Sequence, residues 1–538
     1  MSKCEAQVTW MKSFGSTDTD DGVKVVSDNS GNVYLAAAFK NPMTMDTVNL
    51  PYKGNVDAVI AKLDSNGTIL WTQTFGGLYD DRPSSLALTP DGFLIVGGNF
   101  FDSCQFGNLM IHGKGYDDAF VAKLDTSNGN VLWVKSAGSQ FGYENGKCVT
   151  VDSSGNIWFG GSFMNPMIAD NDTLYPNGSV DFFILKYSSS GNLLLAKSFG
   201  GIGVDDINSI SADANDNIYF CGAFSDTMTL GSTQINSAGM LDVFWSCMNS
   251  AGNILWAKSA GGLNSENTFS IRSYKDGSYY IGGWVQDTCW FEGNLLLGNE
   301  GDIFIARYTE QNHLSWLKQG YNLNANEQGR DLALDKYNNV YLTGQSNFVI
   351  QRLEDTGGRM ESSEKACPFG DLVFLKYDTA GVMNWMEHTL GSNYNIGNGI
   401  AVDNLGNCFV TGTYSDSIWI SSFLRTGIAA SDILLLRYRD GTFNDYNASL
   451  SLPEGDMNAS VFPNPAEGNF YVNIFSATGR RPCSVRLFSM QGVKTSEWKI
   501  YLDQGMNILQ FNSSAPPGMY LLIMEAGTQS ARVKVIFE

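Results

Sequence analysis

Short runs of alternating apolar and polar residues recur along most of the chain, and nearly every run stops at a cluster of Gly, Asn, Asp or Ser. Alternation with period two predicts half-buried β-strands, and the clusters predict the turns between them. KCVTVDSSGNIWFGGSF (147–163) and DFFILKYSSSGNLLLAKSFG (181–200) each read as a hairpin whose turn needs Gly or Asn at positive φ. The first type of turn returns as DNSGN from Asp28, DSSGN from Asp152, DANDN from Asp213, DKYNN from Asp335 and DNLGN from Asp403. An Asp heading such a turn accepts backbone N–H groups, so these carboxylates are expected to be structural. A calcium loop needs more carboxylates per turn than these supply.

The hairpins come in pairs with a fixed period. The marker is WMKSFG from Trp10, WTQTFG from Trp71, WVKSAG from Trp133, LAKSFG from Leu195 and WAKSAG from Trp256, with Trp316 and Trp385 continuing it. Successive starts lie 61, 62, 62, 61, 60 and 69 residues apart, which makes seven copies of four strands. That arithmetic predicts an all-β fold, a seven-bladed β-propeller with four-stranded blades. VTWMKSF (8–14) stands alone before the first inner strand, whereas the seventh copy stops after its third strand, DILLLRY. The N-terminal strand is therefore expected to complete the last blade, which removes two open sheet edges.

Acidic residues outnumber basic ones 55 to 34, a formal charge of -21, which repels phosphate backbones and excludes nucleic acid as a partner. No apolar run approaches the ~20 residues of a membrane span, so no transmembrane segment is expected. Nine cysteines occur without a CxxC pair, which signals neither zinc nor a redox site. Cys148, Cys221, Cys247 and Cys408 fall in predicted strands as buried thiols, and Cys104, Cys289 and Cys367 in predicted loops.

His112, His313 and His388 fall in different copies, and no protease, hydrolase or nucleotide-binding motif is present. Acids crowd the entries to the inner strands: Asp80, Asp81, Glu144, Asp205, Asp206, Glu266 and Glu327. An acid demanded by every copy serves the copy, whereas catalysis needs the symmetry to be broken. No catalytic, cofactor-binding or metal residue is assigned, and no cofactor is expected. One departure from symmetry is the longer loop QRLEDTGGRMESSEKACPFG (351–370), read either as a tolerated insertion or as a partner-binding loop.

Residues 8–443 resemble the seven-bladed bacterial β-propeller repeat family through a D-x-F-x-x-K motif at Asp57, Asp118, Asp181, Asp302, Asp371 and Asp432. Copy four departs, with Cys247 in place of the base. The resemblance implies a fold and an extracytoplasmic habit rather than an activity. Residues 444–460 are polar and read as a linker. VFPNPAEGNFYVNIF (461–475) and PPGMYLLIMEAGTQSARVKVIFE (516–538) resemble the type A C-terminal sorting domain of the type IX secretion system. Pro463, Asn464, Pro465, Gly468, Gly518, Tyr520 and Lys534 carry that resemblance.

It implies a small Ig-like β-sandwich at 461–538, handling by the type IX secretion machinery, and a secreted or outer-membrane surface-attached protein. MSKCEAQVTW lacks the basic and apolar regions of the signal peptide that such export calls for. Either the gene start is misassigned or the sequence begins near the mature terminus. The function expected is a non-enzymatic binding scaffold for a surface glycan or protein ligand; the alternative is a hydrolase or lyase acting on polysaccharide.

Overall fold

In this computed structural model the described residues are 7–298, 301–320, 327–348, 366–391, 393–420, 423–428 and 430–439, followed by 459–462, 469–476, 480–489, 494–503, 505–513, 516, 518–526 and 529–537. The chain divides into two compact units, Met1–Phe443 and Asn444–Glu538.

The first unit is built of antiparallel β-sheets. Each copy contributes strands that pair in chain order, as Asn145–Val151, Ile157–Phe163, Asp181–Tyr187 and Leu193–Phe199 do in the third. The second strands, such as VYLAAAF, IWFGGSF and IYFCGAF, are buried at every residue, because neighbouring sheets cover both of their faces. The fourth strands are only partly buried along most of their length, as in Leu193–Phe199.

Gln7–Phe14 is the fourth strand of the last sheet. It pairs antiparallel with Asp432–Arg439, from Gln7 opposite Arg439 to Phe14 opposite Ile433, and buries Val8, Met11 and Phe14. The seam is also held by Asn398 Nδ2 donating to the Gly22 carbonyl at 2.9 Å and Thr413 Oγ1 donating to Asp21 at 3.2 Å.

The repeat markers join each sheet to the next. Trp10, Trp71, Trp133 and Trp316 donate their indole N–H to carbonyls in the following copy, those of Ser65, Thr126, Ser189 and Thr379. The motif bases reach the same turns: Lys62 donates to Thr126, Lys123 to Ser189 and Arg437 to Ser65. Where Cys247 replaces the base, Lys258 on the adjoining strand donates to the Asn312 carbonyl at 2.8 Å. The indole also explains the turn glycine. Gly129 has φ +77°, and a Cβ there would lie 2.7 Å from the Trp71 ring, so both backbone and space demand Gly.

Two sequence expectations need correction. The connection between second and third strands is not a plain loop, since hairpins such as Met167–Ala169 with Asp172–Leu174 and Thr288–Phe291 with Asn294–Leu297 form within it. Some of these hairpins hydrogen-bond to the preceding fourth strand, Gly138 facing Ile168 and Gly261 facing Trp290. Cys104, Cys289 and Cys367 therefore sit in strands rather than in loops, Cys104 and Cys289 buried and unbridged. Residues 351–365 of the long loop lie outside the described residues.

The second unit has a three-stranded sheet, Ala459–Phe462, Asn469–Ser476 and Gly505–Asn512, and a four-stranded sheet, Lys494–Leu502, Arg481–Ser489, Gly518–Ala526 and Gln529–Phe537. Phe470, Val472, Ile474 and Phe511 from the first share one core with Val485, Leu487, Leu522 and Met524 from the second. Half of Ala459–Phe462 lies in the stretch read as linker, and Lys494–Leu502 is a strand that the sequence reading left out.

Candidate functional site

The acids singled out above are committed to the backbone. Asp81, Glu144, Asp205 and Glu266 are buried and accept the N–H of Gly77, Ser139, Gly201 and Gly262, and Glu327 accepts from Ser346 Oγ. Burial pushes Asp81, Glu144, Asp205, Glu266 and Glu327 up to about 7, with a neighbouring acid adding to the shift at the first four. They occupy equivalent places in successive copies, so the structure does not gather them into one site. Asp80 accepts from Asn55, and Asp206 is ion-paired with Lys147. The turn aspartates Asp28, Asp152, Asp213, Asp335 and Asp403 each accept two N–H groups of their own turn. The three histidines lie in three different copies, and no cluster of metal-ligating side chains occurs among the described residues.

The symmetry is broken elsewhere. The first strand of each copy packs against the first strands of its neighbours, Asp21–Ser27 against Asn395–Val402 included. Together they line a cavity of about 850 Å³, within the range of small-molecule sites. Every first strand carries one β-bulge, and the extra residue is Val23, Ser84, Lys147, Asn208, Phe269, Arg330 or Asn398. All seven line the cavity. Bulges re-aim side chains, and here one backbone device repeated seven times delivers an aliphatic, an aromatic, two cationic and three neutral polar groups.

The next residue along carries inter-sheet bonds. Ser85, Ser209 and Ser270 accept the N–H of Val149, Ile271 and Leu332 in the following copy, and Asp331 accepts that of Ile400. Asp331 also takes Lys24 and Arg272, each at 2.7 Å. Burial opposes its charge, but the two cations win and hold its carboxyl below the ordinary range, while burial pulls Lys24 down. None of the bulge residues was singled out from sequence. The signal is positional: align the copies on the acid entering the first strand, Asn395 in the seventh, and take the third residue after it.

In the second unit, Gly518 opens the strand Gly518–Ala526, and the buried Tyr520 donates its hydroxyl to the Pro516 carbonyl at 2.9 Å. Lys534 stands opposite Leu521 in Gln529–Phe537. Pro463, Asn464, Pro465 and Gly468 lie outside the described residues. The family of secretion-system C-terminal sorting domains matches residues 460–538, a span that takes in this unit's described strands apart from Ala459. The chain carries a type IX sorting domain. It is accordingly exported by that system to the cell surface or the surroundings, and handled by its machinery. No helix among the described residues is long and apolar enough to cross a membrane.

An uncharacterized WD repeat-containing protein of Acanthamoeba polyphaga mimivirus is 21% identical over 487 residues, covering 77% of this chain and 32% of its own. The regulatory protein FlaEY of Caulobacter vibrioides is 24% identical over 197 residues, 35% of this chain and 20% of its own. The chain thus spans about a third or less of the curated relatives it matches. Among solved structures, a glycoside hydrolase family 32 protein from Bifidobacterium adolescentis covers 98% of the chain, and 95% of its own, at 9% identity and a TM-score of 0.23. Latent PorU from Porphyromonas gingivalis covers 62% of the chain, and 32% of its own, at 10% identity and a TM-score of 0.15.

Proposed function

We propose that residues 8–443 form a closed seven-bladed β-propeller acting as a binding scaffold, with the sorting domain at 461–538 as its address and Pro463, Asn464, Pro465, Gly468, Gly518, Tyr520 and Lys534 as the residues the machinery reads. The supporting observation is the set of seven bulges, which sends a different side chain from each copy into one cavity. Cleavage of polysaccharide needs two carboxylates facing one space, and among the described lining residues Asp21 is the single acid. Binding is therefore the favoured reading. The full chain displayed against glycan and surface-protein arrays is expected to retain a discrete set of ligands; an empty array on both would end the scaffold reading.

Address and cargo should separate. Deleting residues 518–537 removes two of the four strands of one sheet of the second unit and is expected to leave the first unit folded in the periplasm, with at least a tenfold loss of protein outside the cells. Fusing residues 444–538 to an unrelated exported protein should carry that protein across the outer membrane. Normal extracellular yield of the truncated chain would contradict the address.

A further inference from the structure

The cavity's charge runs against that of the chain. Lys24, Lys147, Arg272 and Arg330 line it against one acid, Asp21, in a protein of net charge -21. Asp331 and Asp206 stand just behind the wall; Asp206 neutralises Lys147, and Asp331 is shared by Lys24 and Arg272. Four cations then face three carboxylates, and Arg330 is left without an acidic partner among the described residues. Its Nη2 donates to Gln328 Oε1 at 2.8 Å, its guanidinium lies over the Phe269 ring at 5.1 Å, and its buried Nε makes no hydrogen bond. Two bulge residues of adjacent copies thus meet, the ring holding the fork in place while one N–H stays open. A buried Arg N–H without an acceptor costs free energy until something accepts it.

We propose that this cavity binds a carboxylate-bearing polyhydroxylated ligand, an acidic sugar, with its carboxylate on Arg330 beside Phe269. This rests on the scaffold reading and adds the ligand class to it. A planar guanidinium matches a carboxylate better than a sphere of charge does. The remaining wall suits a body rich in hydroxyls, since the side-chain oxygens of Ser84, Asn208, Asn398 and Thr413 can accept around the same space while their donors are held by Gly146, Thr268, Gly22 and Asp21. Low-dielectric walls focus the positive field, so an anion is drawn in although the outer surface repels it. Burial lowers the pKa of Arg330, and a bound carboxylate would restore it.

The test is calorimetric titration of the full chain with trigalacturonate, with the neutral trisaccharide maltotriose, and with citrate as a carboxylate lacking the sugar body. Trigalacturonate is expected to bind at least tenfold more tightly than either of the others, and Arg330→Gln to lose at least tenfold with an unchanged melting temperature. Arg330→Lys, which keeps the charge but not the fork, should recover only part of the loss. Citrate binding as tightly as trigalacturonate would refute the sugar body. Maltotriose binding equally well, or array ligands that are all neutral or protein, would refute the anionic class and leave the scaffold standing. An unchanged affinity in Arg330→Gln would remove Arg330 from the site.

Discussion

A chain lacking residues 7–14 is expected to lose the cooperative unfolding transition of its first unit. Val8, Met11 and Phe14 are buried there, and at about 2 kcal/mol each their removal costs about 6 kcal/mol. The deletion also uncovers Leu434 and Leu436, both fully buried, and leaves the backbone of Asp432–Arg439 unpaired on one side. Total stabilities are on the order of 5–15 kcal/mol, so this single strand can decide the fold. The complementary measurement tightens the seam. Gln7 and Arg439 are exposed and directly opposite, so Gln7→Cys with Arg439→Cys, in a Cys4→Ser background, should crosslink on oxidation and raise the unfolding free energy by about 5 kcal/mol for so long a loop. A neutral deletion together with a pair that never crosslinks would show that the seam is not what holds the unit.

The second large effect is on pH dependence, and its sign is opposite to that of most proteins. Each sheet's third strand opens with a buried Asp, and that of the next sheet's first strand lies close enough to raise its pKa, as Asp57 does for Asp81, Asp118 for Glu144, Asp181 for Asp205 and Asp242 for Glu266. Asp57, Asp118 and Asp242 are themselves pushed up to about 6, first by burial. One place in the series carries an amide: Asn395 Nδ2 donates to Asp371 Oδ1 at 3.3 Å. Where two acids stand near each other instead, the charge of one raises the cost of charging the other. At pH 5 the folded chain keeps protons that the unfolded chain has released, so stability falls as pH rises.

The contribution is complete below about pH 4 and disappears as pH passes the folded values of about 6 to 7. A shift of about three units is worth at most ~4 kcal/mol per pair, because the two neighbouring acids titrate as a unit. Between pH 5 and pH 8 the melting temperature is expected to drop by about 5 °C or more. Asp81→Asn, which copies Asn395, should be near neutral at pH 5 and stabilising at pH 8. A melting temperature that rises toward pH 8, or an Asp81→Asn effect equal at both pH values, would count against protonation of these acids in the folded chain.

Strand order and the phase of the N-terminal strand were legible because the repeat prints them seven times over. The indole and the glycine beneath it recur together in four copies, Trp10 with Gly67, Trp71 with Gly129, Trp133 with Gly191 and Trp316 with Gly381, while Gly252 lies on Leu195. The hairpins between second and third strands were not legible: stretches of three or four residues, such as MIA and DTL, are too short to show a period. The strand KTSEWKIYL was not singled out although Trp498, Ile500 and Leu502 alternate along it with exposed residues. The candidate site was hidden most completely. Val23, Lys147 and Phe269 have no residue type in common, and what unites them is a skipped position in a ladder of hydrogen bonds. Register belongs to two strands at once, so it leaves no mark in either alone.

The partnership of Gln7–Phe14 with Asp432–Arg439 also sets an order of events. The bonded residues Thr9 and Arg437 are 428 apart in the chain, whereas the other sheets form from segments that are close in sequence. Assembly should therefore divide into several fast local steps and one slow closing step. Until that last step two sheet edges stay open to other copies, so the hazard of aggregation is concentrated in the unfinished chain. After it, reopening has to break the seam before the neighbouring sheets can part. The persistence of such a protein outside the cell would then be set by the height of that barrier, a lifetime rather than an equilibrium.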